Sequence, residues 1–188
     1  MTNKLKTLLK TFADFKESEL DCILTFFKPK TAKKSSILLH EGKICKEFYF
    51  INTGCIRTHF IDKNGYEKTR YVVLDNQIGT ALKSFITQKP SSEFVETLDD
   101  TEYLAISYND FFQLNKELEN WKLFYQTILE RAYSFQNRKI EALMTQTAKQ
   151  RYEDLMKRNP ELTQRLNNKI LASYLDMREE TLSRLKTS

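Results

Sequence analysis

Cysteine, histidine, glycine and proline are all scarce in this chain of 188 residues, which holds three cysteines, two histidines, four glycines and three prolines. Cys22, Cys45 and Cys55 are odd in number, scattered, and never in CxxC spacing. That pattern argues against a zinc framework and a disulfide scaffold and reads as buried thiols in a reducing compartment. His40 and His59 offer no metal-ligand spacing, and there is neither a glycine-rich phosphate loop nor a nucleophile motif. No catalytic residue and no metal site are therefore expected, and an enzyme is disfavoured. The few glycines and prolines leave little room for a disordered linker. No apolar run approaches the roughly 20 residues that span a bilayer. The opening MTNKLKTLLKTFADF lacks a continuous signal-peptide core, so a cytoplasmic chain without a membrane partner is expected.

What is present supports a substantial core, with 40% hydrophobic and 12% aromatic residues. The formal charge of +5 is compatible with a polyanionic partner. Residues 145–188 hold nine Lys or Arg against six Asp or Glu, more than half of the net excess.

Residues 4–27 read as two helices. Leu5, Leu8, Leu9 and Phe12 form one stripe, and Ser18 is the expected N-cap of the second helix, which Pro29 stops. Short strands follow at Ser36–His40, Phe48–Ile51, Cys55–Ile61, Tyr66–Leu74, Glu93–Leu98 and Tyr103–Ser107. Asn64-Gly65 between two of them is a hairpin signal. Many short strands at this spacing suggest an antiparallel roll or sandwich.

Asn109 or Asp110 is the expected cap of the next helical region. A long helix then runs from about Glu117 to Thr147 without Gly or Pro. One stripe on it, Trp121, Tyr125, Ile128, Ala132 and Phe135, advances in steps of four and three, which is heptad spacing. A second stripe is Leu129, Tyr133, Gln136, Ile140 and Leu143. Two stripes imply two partners, the β-domain and a second copy of the chain, and the first stripe is assigned to a dimer interface; the alternative is one wide core-facing stripe in a monomer. A further helix, Gln150–Lys157, ends before Asn159-Pro160.

The segment Asn168–Lys186, NKILASYLDMREETLSRLK, reads as two short helices about a tight turn. Leu171, Ala172 and Leu175 share one face of the first helix, and Leu182 and Leu185 one face of the second. Asp176 stands where a residue with positive φ is wanted, and Asp tolerates that conformation better than most. The second helix presents Arg178, Glu180, Thr181, Ser183, Arg184 and Lys186. Arg pairs with guanine O6/N7 and Glu accepts from cytosine N4, so this face suits the major groove of double-stranded DNA. The alternative is a helical hairpin that only closes a core.

The order of these parts resembles the Crp–Fnr family of bacterial transcription regulators. LLHEGKICKEFYFINTGCIRTHFIDKNGYEKTRYVVL is similar to the opening of a cyclic-nucleotide-binding domain, with Glu41-Gly42, Tyr49, Gly54, Arg57 and Gly65 in the pattern. Glu180, Ser183 and Arg184 match the Glu-x-x-Ser-Arg core of the family's recognition helix. The resemblance implies an α+β chain: an N-terminal antiparallel β-roll of double-stranded β-helix type with flanking helices, a long dimerisation helix, and a C-terminal all-α helix-turn-helix. The expected divisions are 1–116 for the effector domain, 117–147 for the dimerisation helix and 148–188 for the DNA-binding domain. That last part is short, because Ser188 follows soon after Leu185 where the family continues into a wing. The implied partners are double-stranded DNA, a second copy of the chain, RNA polymerase and an effector of unknown identity.

The effector pocket departs from the family. Cyclic-AMP-binding members carry a Gly-Glu pair and, about ten residues on, an Arg followed by Ser or Thr. Here Gly79 is kept, Thr80 replaces the Glu, and Ser91 and Ser92 stand where Arg and its neighbour belong. Lys83 and Lys89 offer charge without the bidentate fork of an arginine. A degenerate pocket that does not take cyclic AMP is expected. The scattered cysteines cannot supply four Fe–S ligands, and His40 and His59 are expected to be core or surface residues rather than haem ligands, so no cofactor is expected. A ligand-binding or protein-interaction module with a degenerate DNA-binding domain is the alternative function.

Overall fold

The computed structural model describes residues 1–187, and the chain divides into two compact units. The first comprises residues 1–60 and 71–129, the second residues 61–70 and 130–188.

The first unit opens with α1 (Thr2–Lys10) and α2 (Glu17–Phe26). α2 starts earlier than Ser18, because Glu19 reaches back to accept from the Lys16 backbone N–H at 2.8 Å and fixes the entry upstream of that serine. Eight strands follow: β1 (Lys28–Ala32), β2 (Ile37–Leu39), β3 (Glu47–Thr53), β4 (Ile56–Ile61), β5 (Glu67–Val73), β6 (Ile78–Gly79), β7 (Phe94–Thr97) and β8 (Thr101–Ser107). They form two four-stranded sheets, ordered β1-β8-β3-β6 and β2-β7-β4-β5. All the strand pairs with a described register are antiparallel. β1, β6 and the short α3 (Leu82–Thr87) carry no alternating pattern that would announce them. α2 ends at Phe26 and β1 begins at Lys28, with Pro29 inside the strand and opposite Leu104 on one neighbour only, as a proline in an edge strand should be.

α4 (Tyr108–Glu117) is capped by Ser107, whose hydroxyl accepts from the Asp110 backbone N–H at 3.1 Å. The helix therefore starts before Asn109. The first part of α5 (Glu119–Thr145) closes the unit's core. Phe27, Phe48, Phe85, Phe111, Trp121 and Phe124 are all buried there. Trp121 is fully enclosed, 4.7 Å from Phe124 and 5.1 Å from Phe111 between ring centroids. Its indole N–H donates to Phe111 O at 3.1 Å, so its polar edge is satisfied inside the core.

The second unit holds the far end of the β4–β5 hairpin, the rest of α5, and four shorter helices: α6 (Ala148–Arg158), α7 (Pro160–Arg165), α8 (Asn168–Tyr174) and α9 (Glu179–Thr187). Asp62 Oδ1 accepts from the backbone N–H groups of Asn64 and Tyr66, and Gly65 takes φ 82°. These make the tight end that Asn-Gly foretold. Thr147 caps α6, its side chain accepting from Gln150 N while Gln150 Oε1 accepts from the Thr147 N–H. α7 begins on Pro160, which suits the first turn because its missing N–H has no partner to lose. Leu162, Leu166, Leu171, Ala172, Leu175 and Leu182 form the buried centre of this unit.

Candidate nucleic-acid interface

α8 and α9 are joined by a turn that the sequence specifies at each end. Asn167 caps α8, its Oδ1 accepting from Ile170 N at 2.9 Å. At the other end Asp176 adopts φ 51°, the left-handed conformation. Met177 N then donates to Ala172 O at 3.0 Å and Asp176 N to Ser173 O at 3.3 Å, the two reversed bonds of a Schellman closure. Arg151 of α6 adds a tertiary cap. Its Nε donates to Leu175 O, its Nη2 to Asp176 O and its Nη1 to Gln146 O, at 2.8–3.1 Å. One guanidinium thus satisfies carbonyls that a helix end leaves unpaired.

Leu182 is wholly buried and Leu185 half-buried, so α9 turns its apolar side inward as its spacing predicts. Glu180, Ser183 and Arg184 are exposed together on the opposite side, and Arg178 is exposed just before the helix. Thr181 is half-buried. Lys186 is exposed, and its Nζ donates to Asn168 Oδ1 at 2.6 Å, tying the end of α9 to the start of α8. No sequence signal announces Arg151 or the tie between Lys186 and Asn168.

The hairpin end braces α8. Ser173 Oγ donates to Glu67 O at 2.8 Å and accepts from Thr69 N at 2.7 Å. Lys68 Nζ meets Asp176 Oδ1 at 2.7 Å. Lys139 of α5 donates to Thr69 O and Arg70 O, both at 3.0 Å, and lies 4.4 Å over the Tyr174 ring. Burial pushes the Lys139 ammonium down to about 8.

In the first unit, the predicted pocket residues separate into two groups. Gly79, Thr80 and Ser91 are buried, whereas Lys83, Lys89 and Ser92 are exposed. Gly79 must lack a side chain, since a Cβ there would lie 2.4 Å from Val73 Cγ2. Thr80 Oγ1 donates to Glu47 O at 2.7 Å and sits 3.0 Å from Cys45 Sγ. Ser84 Oγ donates to Lys89 O at 2.6 Å and accepts from Cys45 N at 3.0 Å. Ser91 Oγ donates to Glu93 O at 2.9 Å. These hydroxyls are engaged with neighbouring backbone. Arg57 is buried and paired with Glu96, Nη2 to Oε2 at 2.6 Å.

Residues 29–117 match the model of the cyclic nucleotide-binding domain family. No curated protein matches the sequence. Among solved structures, the catabolite activator protein of Thermus thermophilus aligns at 20% identity with a TM-score of 0.63, over 94% of this chain and 84% of that one. A protein described as a Crp/Fnr-family transcriptional regulator from Eubacterium rectale aligns at 17% identity and TM-score 0.71, over 92% and 82%. The c-di-GMP-responsive global regulator of Xanthomonas campestris aligns at 15% identity and TM-score 0.72, over 90% and 89%. The fold is that of the Crp–Fnr regulators.

Within this Crp–Fnr frame, the long helix α5 corrects one assignment made from its periodicity. Trp121 and Ile128 are core residues of the first unit, and Tyr125 packs against that core. Ala132 and Phe135 are half-buried. A heptad count finds stripes but cannot tell which one the chain itself covers. The aromatic cluster around Phe111 takes the Trp121 stripe inward. A third row, Leu123, Gln126, Glu130, Tyr133, Asn137, Ile140 and Met144, also advances by three and four and is exposed throughout.

Proposed function

We propose that this chain is a sequence-specific, DNA-binding transcription regulator that acts as a homodimer in the cytoplasm and engages RNA polymerase at its promoters. The observation that carries this reading is the exposed Glu180–Ser183–Arg184 face of α9, held opposite the buried Leu182 by a capped turn. Glu accepts from cytosine N4, Arg donates to guanine O6/N7, and Ser reaches a base edge or phosphate. Arg178 and Lys186 flank this face and suit phosphates.

A twofold dimer would put two α9 helices in successive major grooves, so the operator is an inverted repeat with half-sites about 10–10.5 base pairs apart, centre to centre. The exposed row on α5 supports the dimer, since Leu123, Tyr133, Ile140 and Met144 are 48%, 70%, 53% and 80% exposed in a single chain. The sensor roll does not use cyclic AMP in this reading. Thr80 and Ser91 replace the acid and the arginine, and their hydroxyls are engaged by backbone.

The test is a binding series on single-base operator variants at fixed salt. Arg184→Ala is expected to cost about 1–3 kcal/mol on the best operator and to flatten discrimination at one base pair of each half-site. Lys186→Ala is expected to weaken all sequences alike and to make the salt dependence shallower. Equal loss on every variant for Arg184→Ala would make Arg184 a phosphate contact and overturn the assigned reading face.

A further inference from the structure

The helical unit contains a cavity of about 430 Å³ between the end of α5, α6 and the end of α8. That volume lies in the range of small-molecule sites. Four cations line it, Arg138, Lys139, Arg151 and Arg158, against two acids, Glu141 and Asp154. Asp154 faces Arg158 at 3.6 Å and accepts from Gln146 Nε2 at 3.2 Å. Arg151 is committed to three backbone carbonyls. Phe135, Ala142, Leu143, Leu155, Tyr174 and Leu175 supply an apolar wall.

Two features of the lining are unmet. Lys139 is half-buried with neutral partners only: two carbonyls and the Tyr174 ring. Arg70 opposes its charge, and the Asp176 carboxylate, which would favour it, is ion-paired with Lys68. A cation partly withdrawn from water without a bonded anion carries a cost. The second is Gln146 Oε1, a buried acceptor with no hydrogen-bond donor. A buried amide oxygen left bare also costs free energy. The lining thus asks for one anionic group, one donor and an apolar body.

The geometry points to a binding site for a small organic oxyanion, a phosphate or carboxylate ester-sized metabolite with a hydroxyl or amine, in the helical unit and outside the β-roll. The oxyanion faces Lys139 and Arg138, and the donor faces Gln146 Oε1. Lys139 also holds the hairpin backbone and the face of Tyr174 at the end of α8, so a ligand here bears directly on the support of the α8–α9 pair.

Phenyl phosphate is a suitable probe, with phenol as its neutral comparator, on the full chain carrying 13Cε-labelled lysine. The expected result is a saturable shift of the Lys139 signal with phenyl phosphate, none with phenol, and a rise in the pH at which that signal titrates. Arg138→Ala, at an exposed position, is expected to keep the fold and weaken the probe at least fivefold. Absence of a saturable Lys139 shift overturns the proposal, as does an equal shift with phenol. A shift produced by duplex DNA and not by phenyl phosphate assigns the cations to a nucleic-acid surface and also overturns it.

Discussion

Lys68 in β5, beside the tip of a β-hairpin, and Asp176 in the helix-to-helix turn meet at 2.7 Å, although 108 residues separate them in the chain. The same Asp176 carries φ 51° and supplies a backbone N–H that closes α8. One residue therefore serves the turn with its backbone and the hairpin with its side chain. The two roles can be separated by substitution. Asp176→Gly relieves the left-handed conformation but removes the ion pair, which is half-exposed on both sides and so is worth at most about 1 kcal/mol. Asp176→Ala keeps the strain and loses the pair. Urea unfolding is expected to show Asp176→Gly within about 1 kcal/mol of the natural protein and Asp176→Ala lower by roughly 1–2 kcal/mol. Equal stabilities would mean that the turn does not hold the backbone described.

Lys139 sets a pH dependence of definite sign. Its ammonium titrates at about 8 in the folded chain against an ordinary value of 10.5. Between those values the unfolded chain holds a proton that the folded chain has lost, so stability rises with pH across that interval. The penalty for burying the charge is present in full below about 8 and is relieved as the pH approaches 10.5. Lys139→Met is expected to abolish that rise. The natural protein should gain on the variant by up to about 3 kcal/mol from roughly pH 7.5 to 10.5. Parallel unfolding curves for the two proteins across this range would refute the account.

The two sides of α5 should respond differently to substitution. Trp121→Ala removes a fully enclosed ring and its hydrogen bond and is expected to cost about 3–5 kcal/mol of stability. Ile140→Asp, on the exposed row, is expected to leave monomer stability within about 0.5 kcal/mol while splitting the proposed dimer. Light scattering at tens of micromolar checks this. A monomeric natural protein, or a dimer indifferent to Ile140→Asp, would remove the row from the seam.

The roll should not respond to cyclic AMP. A ligand phosphate there would lack charge-assisted bonds worth ~1.5–3 kcal/mol each, since Lys83 and Lys89 are exposed and Arg57 is committed to Glu96. Calorimetry is expected to show no saturable heat with cyclic AMP. Micromolar binding would require Glu96 to release Arg57, or an exposed lysine to turn inward.

Much of this architecture was legible from spacing. The apolar strand at Phe48–Ile51, the Asn64-Gly65 turn and the apolar faces of α8 and α9 each follow from a local rule, and each appears where that rule puts it. The left-handed Asp176 was legible for the same reason, because the constraint is local. β1, α3 and α7 were not, being short segments whose conformation is set by neighbours rather than by periodicity. The direction of the Trp121 stripe was also hidden, because it depends on aromatics at Phe27 and Phe111 elsewhere in the chain. The same holds for the cap by Arg151 and for the half-buried Lys139, whose partners lie 24 and 70 residues away.

The hairpin end that braces α8 has a consequence for the order of synthesis. Ser173 completes the hydrogen bonds of Glu67 and Thr69 across 106 and 104 residues. While a nascent chain is still short of α8, the hairpin tip has no hydroxyl to receive it, so this unit is finished last and must close a long loop. A fragment beginning at residue 130 would lack the tip altogether, leaving Ser173, Lys139 and Asp176 without the partners described above. The α8–α9 pair is thus sequence-local in its design but depends for its support on a strand pair made early in translation.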